Sequence, residues 1–159
     1  MENSEIKIIR PDFRQFVINE LHWVLLLVLG ILCCGLEGMP CGNILKIACL
    51  VLALYLAYGC LFLLCCRFTI TDEQLIYERG VFARKSDFIE LYRVVDFKES
   101  RSLLQQVAGL KTVVVYAGDR THSHLVMTGI HNRVPLVAII RERVEYNKKR
   151  KGIYEITNR

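Results

Sequence analysis

The stretch CLFLLCCRFTITDEQLIYERGVF, residues 60–82, changes composition halfway along its length. Every residue up to Cys66 is apolar, whereas from Arg67 onward polar and apolar residues mix, with a charge every few positions. No glycine, proline or serine linker separates the two halves. The pattern predicts an apolar helix that runs directly into the first strand of a soluble domain, so that this strand begins at a membrane.

Two apolar stretches precede this junction. Glu20 and His22 are the only acidic or basic side chains of residues 16–36, and residues 47–66 carry no charge at all. At about 1.5 Å per residue, each stretch matches the roughly 30 Å hydrocarbon core of a bilayer. A soluble helix of this length normally shows a polar stripe, which the second stretch lacks. We therefore predict a cytoplasmic segment over 1–15 and a transmembrane hairpin over 16–66.

The basic residues predict the orientation of this hairpin. Lysines and arginines flank it before the first helix and after the second, whereas the connecting EGMPCGN holds none before Lys46. By the positive-inside rule, both termini are expected in the cytoplasm. Residues 67–159 sum to a net charge of +6 and residues 1–66 to −1, which suits a basic domain facing an anionic leaflet.

Small residues form a stripe along the second helix that would let another backbone approach closely. The stripe consists of Cys49, Ala53, Ala57 and Cys60. All seven cysteines lie between Cys33 and Cys66, without the C-x-x-C spacing of zinc or redox sites. In an apolar helix such cysteines act as small hydrophobes, so we predict no metal site and no cofactor.

After Arg67, short segments rich in β-branched and aromatic residues follow one another, separated by turn residues. They are RFTIT (67–71), LIYERG (75–80), FARKSDFIELY (82–92), RVVDFKES (93–100), LKTVVVYA (110–117) and THSHLVM (121–127). An amphipathic helix follows, with Asn132 as its expected N-cap, Pro135 in its first turn and Gly152 at its end. The order predicts six or seven antiparallel strands forming a small barrel over 67–150, closed by one C-terminal helix, with a tail over 151–159.

Several features of this domain match a known family. They are the T-D-E-x-L turn, the R-G-V hairpin, the I-E-L-Y-R-V segment and the L-L-Q-x-x-x-G-L approach to a valine strand. The chain resembles the bacterial pleckstrin-homology family of YdbS-like membrane proteins, in which two transmembrane helices precede such a domain. The resemblance implies a bacterial inner-membrane protein with a pleckstrin-homology-like binding domain. The shared motifs mark turns and core positions, so they specify fold rather than chemistry.

Residues that carry chemistry are few. His122 and His124 alternate onto one strand face, but no third ligand lies near in sequence, which favours solvent-facing histidines. No motif of a phosphate loop, zinc protease or serine hydrolase occurs. The basic run Lys148–Lys151 lacks an aromatic stacking pattern, so a solvated helix end is favoured over a lipid patch and no nucleic acid is expected. The acidic TDEQ loop argues against phosphoinositide binding of the eukaryotic kind. We predict no catalytic residue.

The junction predicts which turns return to the membrane. The turn after the first strand points away, so the turns over 79–85 and 100–109 come back. Both combine apolar residues with cations, as in interfacial membrane contact. The interface candidates are Arg79, Val81, Phe82, Arg84, Lys85 and Arg101. The turns also carry apolar side chains that fill barrel ends: Leu103, Leu104 and Val107 are expected to do so, whereas for Phe82 membrane contact and barrel filling remain equal alternatives.

These observations predict a membrane-anchored, non-enzymatic binding module at the cytoplasmic face of a bacterial membrane. Its ligand would be a protein partner or a second copy of the chain, giving a homo-oligomer. The alternative is a module that senses anionic lipid through the interface candidates in its membrane-facing turns. A small membrane enzyme is the least favoured class.

Overall fold

The computed structural model describes residues 6–35, 42–118 and 123–153, and its elements follow the predicted order. The helices are α1 (Phe13–Cys34), α2 (Gly42–Cys65), α3 (Leu103–Ala108) and α4 (Leu136–Arg150). The strands are β1 (Lys7–Ile9), β2 (Arg67–Ile70), β3 (Gln74–Arg79), β4 (Lys85–Glu90), β5 (Val94–Ser100), β6 (Leu110–Ala117) and β7 (His124–His131). A short 3₁₀ turn, Leu91–Arg93, joins β4 to β5.

The helices α1 and α2 form an antiparallel pair. Trp23 lies against Tyr55, with ring centroids 6.3 Å apart, and further along the pair Gly30 lies against Cys49. Both helices are long and apolar enough to cross a membrane by length and composition. Most of their side chains are exposed, because the rest of the chain contacts them only at the end near β2.

The strands form two antiparallel sheets, ordered β1-β2-β3-β4 and β5-β6-β7. One cluster of buried side chains joins both sheets to α4, with Phe68 and Leu75 from the first, Val113 and Met127 from the second and Ile140 from the helix. This confirms the predicted antiparallel architecture with a single C-terminal helix. Among the described residues it takes the form of two packed sheets. Strand β1 was not predicted; it pairs with β2, with Ile9 opposite Phe68.

The start of α4 differs from the prediction. The helix begins at Leu136, with Pro135 at the cap position and no side-chain capping bond, so the expected N-cap Asn132 is wrong. The residue before a proline is pushed out of the helical region, which keeps Val134 in a turn and delays the helix. The predicted stop is confirmed, since Gly152 adopts a left-handed φ of +67° directly after the helix.

Helix α3 was also missed, because the segment reads as a turn. Ser102 and Gln105 form a reciprocal capping box, and Gly109 ends the helix with a φ of +72°. The helical period turns Gln105 inward and the apolar residues outward. Leu103 is 80% exposed, Val107 90% and Leu104 48%, so the prediction that they fill a barrel end is wrong.

Candidate membrane-interface site

Two buried glutamines join α1 to the domain. The Gln105 Nε2 donates to Gln15 Oε1 at 2.8 Å and to Thr112 Oγ1 at 2.9 Å. Gln15 Nε2 in turn donates to Asn19 Oδ1 at 2.7 Å. Gln15 is only 2% exposed and Gln105 5%, so both side-chain amides depend on these internal hydrogen bonds instead of water. The polar contact therefore fixes the first turn of α1 against α3.

The backbone before α1 is attached at the same place. Asp12 caps α1 by accepting from the Arg14 amide at 2.8 Å, and its own amide donates to the Gly129 carbonyl at 2.9 Å. Gly129 has a φ of +74°, and a Cβ there would lie 2.7 Å from the Gln15 Cβ. Only glycine combines that backbone conformation with so close an approach.

The second helix enters the sheet without a break. Cys66 closes the end of α2 with its amide bonded to the Leu63 carbonyl at 3.0 Å, and β2 begins at the next residue. β3 returns beside β2, pairing Arg67 with Glu78 both in register and through an ion pair of 2.5 Å. The hairpin of β3 and β4 then turns over residues 80–84, on the same side as the helices.

The tip of that turn contacts α2. The Phe82 ring stacks on the Tyr58 ring at 6.4 Å between centroids, with an interplanar angle of 12°. Tyr58 precedes the end of α2 by seven residues, or about 10 Å of helix. The turn therefore reaches alongside α2 rather than stopping level with the junction. Phe82 is nevertheless 91% exposed, so it does not fill the interior of the domain.

The candidate cations divide into paired and unpaired groups. Arg79 forms an ion pair with Asp87 at 3.1 Å and lies 5.3 Å over the Tyr77 ring. Arg101 is paired with Glu99 at 2.6 Å. Arg84 and Lys85 are exposed and have no ion-pair partner within residues 6–35, 42–118 and 123–153. Val81, between the two groups, is half-buried.

The exposed face of α3 lies near the same end of the hairpin. The carbonyl of Ala108, in its last turn, accepts from Arg14 Nη1 at 3.1 Å, and Gln105 contacts Gln15. Leu103 and Val107 are four residues apart and therefore share one helix face. The domain thus exposes two apolar projections, this face and Phe82, each beside one of the long helices.

The small-residue stripe of α2 lies partly on the helix contact. A Cβ on Gly30 would lie 2.7 Å from Cys49 Sγ, so the two backbones are close there. Ala53 and Cys60 are half-buried as well, whereas Ala57 is exposed. Gly59, beside Cys60, lies against the Phe16 ring. The face of α2 that packs against α1 therefore includes Cys49 and Gly59 but not Ala57.

Tyr77 lies where the helices meet the two sheets. Its ring stacks on Phe68 at 4.7 Å, and its hydroxyl lies 3.7 Å from Cys66 Sγ. Burial, with a smaller effect of the contact to Cys66, raises the pKa of Tyr77 to about 12. The phenol therefore stays neutral and acts as a structural group.

The basic run at the end of α4 and the histidines were also considered from the sequence, and of these His124 borders the same space as Tyr77 and Arg79. Arg150 forms an ion pair with Glu73, and Lys151 Nζ lies 3.6 Å over the Tyr92 ring, so the basic run contacts the domain itself. His124 Nδ1 lies 3.2 Å from Ser123 Oγ, and His122 falls outside the described residues. No group of three potential metal-ligating side chains is found in the described part of the chain.

Sequence reasoning missed the glutamine contact and helix α3. The Ser102-x-x-Gln105 pattern of a capping box was available as a signal for α3. No comparable signal pairs Gln15 with Gln105, because the two are far apart in sequence and glutamine is usually exposed.

Comparisons with known proteins agree with this architecture. No curated protein and no solved structure matches the chain. A family model described as bacterial PH domain matches residues 17–146, which include most of α1, all of α2, six of the seven described strands and most of α4. Since that match covers most of the sequence, the chain belongs to the bacterial PH domain family.

Proposed function

We propose that this chain is a non-enzymatic, membrane-anchored binding module whose rim contacts anionic lipid at the cytoplasmic face of a bacterial inner membrane. Membership of the bacterial PH domain family supports a binding role in general. The stacking of Phe82 on Tyr58 carries the lipid proposal, because it brings an exposed aromatic tip alongside an apolar helix. We call Phe82, Arg84, Lys85, Leu103 and Val107 the rim.

The sheet supports placing both ends of the chain on one side of the membrane. β1 precedes α1 and β2 follows α2, yet the two strands are hydrogen-bonded neighbours. A hairpin of two helices satisfies this pairing only if it enters and leaves the bilayer on the same face. The basic flanking residues then favour the cytoplasmic face. This proposed arrangement is the multi-pass topology that the sequence predicts. Residues 16–66 would then anchor the domain to the membrane.

The composition of the rim suits the headgroup region. Its apolar side chains are large and exposed, and the position beside α1 and α2 allows them to enter the interface while their cations meet phosphates. Arg84 and Lys85 would each contribute about 1 kcal/mol of attraction to an anionic leaflet, less at high salt. Arg79 and Arg101 would contribute less, because each is already paired with a carboxylate. The helices supply the anchoring, and the rim supplies sensitivity to lipid charge.

A protein partner or a second copy of the chain is the second candidate ligand. β5 is an edge strand of the three-stranded sheet, and Val95 near its start is exposed. Val95 lies near the start of β5, and α3 follows the other end of that strand. The Val95 end of the edge would therefore lie away from the membrane. An unpaired strand edge with an exposed apolar side chain favours addition of a strand from another chain.

The lipid proposal is tested by an environment-sensitive fluorophore at Phe82→Cys, in full-length protein whose native cysteines are replaced. The protein is reconstituted in vesicles of phosphatidylcholine with and without phosphatidylglycerol. We expect blue-shifted emission, with a larger shift in the anionic vesicles that is reduced by salt. The same label at Glu142→Cys, on the exposed face of α4, serves as the control and should report bulk water. Water-like emission from position 82 in both vesicle types would contradict rim contact and favour the protein partner.

A further inference from the structure

A cleft lies between the helix pair and the domain, separate from the rim. It has a volume of about 410 Å³ and is lined by Phe16, Glu20, Tyr58, Tyr77 and Thr128, among others. A more polar space of about 390 Å³ adjoins it and shares Tyr77 and Thr128. On the other side, an apolar groove of about 950 Å³ between α1 and α2 shares Tyr55 with the cleft. Polar and apolar spaces thus follow one another from the domain into the hairpin.

The charges along this path are unequal. In the polar space, Arg79 and Asp87 form an ion pair at 3.1 Å, and the imidazole of His124, which carries no formal charge when neutral, lines the same space. In the cleft, the half-buried Glu20 carboxylate has no hydrogen-bond or ion-pair partner in the described part of the chain. An acidic side chain within an apolar helix is costly unless a cation compensates it, which makes it a candidate functional group. The excess charge available to a ligand is therefore negative.

The surroundings of Glu20 define the matching group further. Aromatic side chains dominate the cleft, with Phe16, Tyr55, Tyr58 and Phe62 among its lining residues. Aromatic faces together with a carboxylate favour an ammonium group over a neutral or anionic one. The adjoining groove is lined almost wholly by apolar side chains, including Trp23 and Leu26, and accepts a hydrocarbon tail.

We propose that the cleft binds one cationic amphiphile, with its ammonium head group beside Glu20 and its alkyl tail in the groove between α1 and α2. The proposal rests on the proposed placement of these helices in a membrane, from which such a ligand would enter. It requires neither rim contact nor any charge on the rim. Tail insertion would bring the ligand next to Trp23, which is the only tryptophan of the chain.

That tryptophan provides the test. The full chain is placed in phosphatidylcholine nanodiscs, and ω-bromododecylammonium is titrated while Trp23 fluorescence is recorded, since bromine quenches on contact. We expect saturable quenching at about one probe per chain, reversed by unbrominated dodecylammonium. Glu20→Gln should raise the half-saturating probe concentration about fivefold to tenfold. Glu142→Gln removes the same charge from α4 and should leave the titration unchanged.

Two further probes, one neutral and one anionic, are titrated into the parent chain. This comparison does not depend on whether a variant folds. Bromododecanol and ω-bromododecanoate should quench weakly and without saturation. Equal quenching by all three probes at the same mole fraction in the membrane, or an unchanged half-saturation in Glu20→Gln, would overturn the cleft proposal. Phosphatidylcholine brominated on its acyl chains tests the membrane placement separately. Failure of that lipid to quench Trp23 would overturn the placement itself, on which the proposed function also depends.

Discussion

The side-chain amide of Gln105 donates to that of Gln15 at 2.8 Å, across the contact between α3 and α1. The same Gln105 amide also donates to Thr112 and accepts from the Ser102 amide through its oxygen at 3.0 Å. One buried side chain therefore satisfies three neighbours. An inflexible connection of this kind holds the domain in one orientation relative to α1, which a flexible linker would not do.

Replacing Gln105 should weaken this connection. Gln105→Ala leaves the Gln15 and Ser102 groups without their partner, so we expect the free energy of unfolding to fall by about 1–3 kcal/mol. The measurement is a thermal melt of the full chain in mild detergent. Gln106→Ala, at the exposed neighbouring position, is the matched control and should melt like the parent. Equal losses in both variants would show that the contact between Gln105 and Gln15 does not determine the stability.

Two glycines with nearly the same backbone conformation allow a controlled test of close approach. Gly129→Ala and Gly109→Ala both place alanine at a φ near +70°, at a backbone cost of about 1 kcal/mol. The new Cβ would collide at Gly129, where it lies 2.7 Å from the Gln15 Cβ. At Gly109 no neighbouring heavy atom lies within 4 Å of the new Cβ. We expect a clearly lower Tm for Gly129→Ala. Similar Tm values would mean that α1 yields easily at this point.

Glu99 should stabilise the domain near neutral pH and lose this effect in acid. Hydrogen bonds from Arg101 and then from Lys111 hold the pKa of the Glu99 carboxyl below its ordinary value. A carboxyl whose pKa is lowered by folding stabilises the folded state at pH values above its unfolded-state pKa of about 4.3. This stabilisation is lost as the pH falls through the folded-state pKa. Glu99→Gln should therefore unfold more easily than the parent at pH 7, by about 0.5–1 kcal/mol, because solvent around the exposed Glu99 side chain screens its ion pairs.

Chemical denaturation at several pH values measures this difference. The gap between parent and Glu99→Gln should shrink steadily below about pH 4.3, because the parent carboxyl is then protonated as well. Glu142→Gln, an exposed site on α4, is expected to track the parent throughout. A gap that stays constant into acid would assign the loss to packing around the buried Lys111 instead.

Strand β1 should contribute to a domain expressed without the helices. The fragment 67–150 contains β2 to β7 and α4, but it lacks Ile9, which is buried against the core, and leaves the β2 edge unpaired. Joining residues 6–12 to residue 67 through a short glycine-serine linker restores both. We expect a cooperative melt for each fragment and a higher Tm for the longer one. The free energy of unfolding should increase by about 1.5–3 kcal/mol, as for the burial of one isoleucine side chain. Identical melts would show that β1 adds nothing in the absence of the hairpin.

Topology reporters at the two ends provide the remaining test. Fusions at residue 1 and residue 159 should both be active only as cytoplasmic reporters, since β1 and β2 pair on one side and the flanking charges are basic. As an internal control, a reporter inserted in the loop between α1 and α2 should be active only outside the cytoplasm. A periplasmic signal from either end would contradict the proposed topology.

Particular residues show what the sequence could predict. The strands after Arg67 are recognisable because β-branched and aromatic residues cluster between turn residues, and β2 to β6 lie close to the predicted segments. β7 continues to His131, four residues beyond the predicted end at Met127. Helix α3 was missed although Ser102 and Gln105 carry its signal, since six residues are too few to show a helical period. β1 is only three residues long, and its pairing depends on a partner beyond both helices.

The candidate site could be located only in part. The alternation of strands correctly brings the turn over 79–85 back toward the helices, but composition alone left Phe82 with two alternatives. Its exposure and its stacking on Tyr58 depend on how far the β3–β4 hairpin extends beside α2. For Leu103 and Val107, a local capping box determines which way they face, and this overrides the usual tendency of leucine and valine to be buried.

The pairing of β1 with β2 also imposes an order of assembly. During synthesis β1 leaves the ribosome before either helix, and its partner appears only after both helices have been made. In the proposed membrane placement, the first strand therefore stays unpaired at the membrane surface while the hairpin inserts. Insertion of the helices comes first and closure of the four-stranded sheet comes later, so a chain whose hairpin fails to insert would leave the sheet incomplete and its edge open to aggregation.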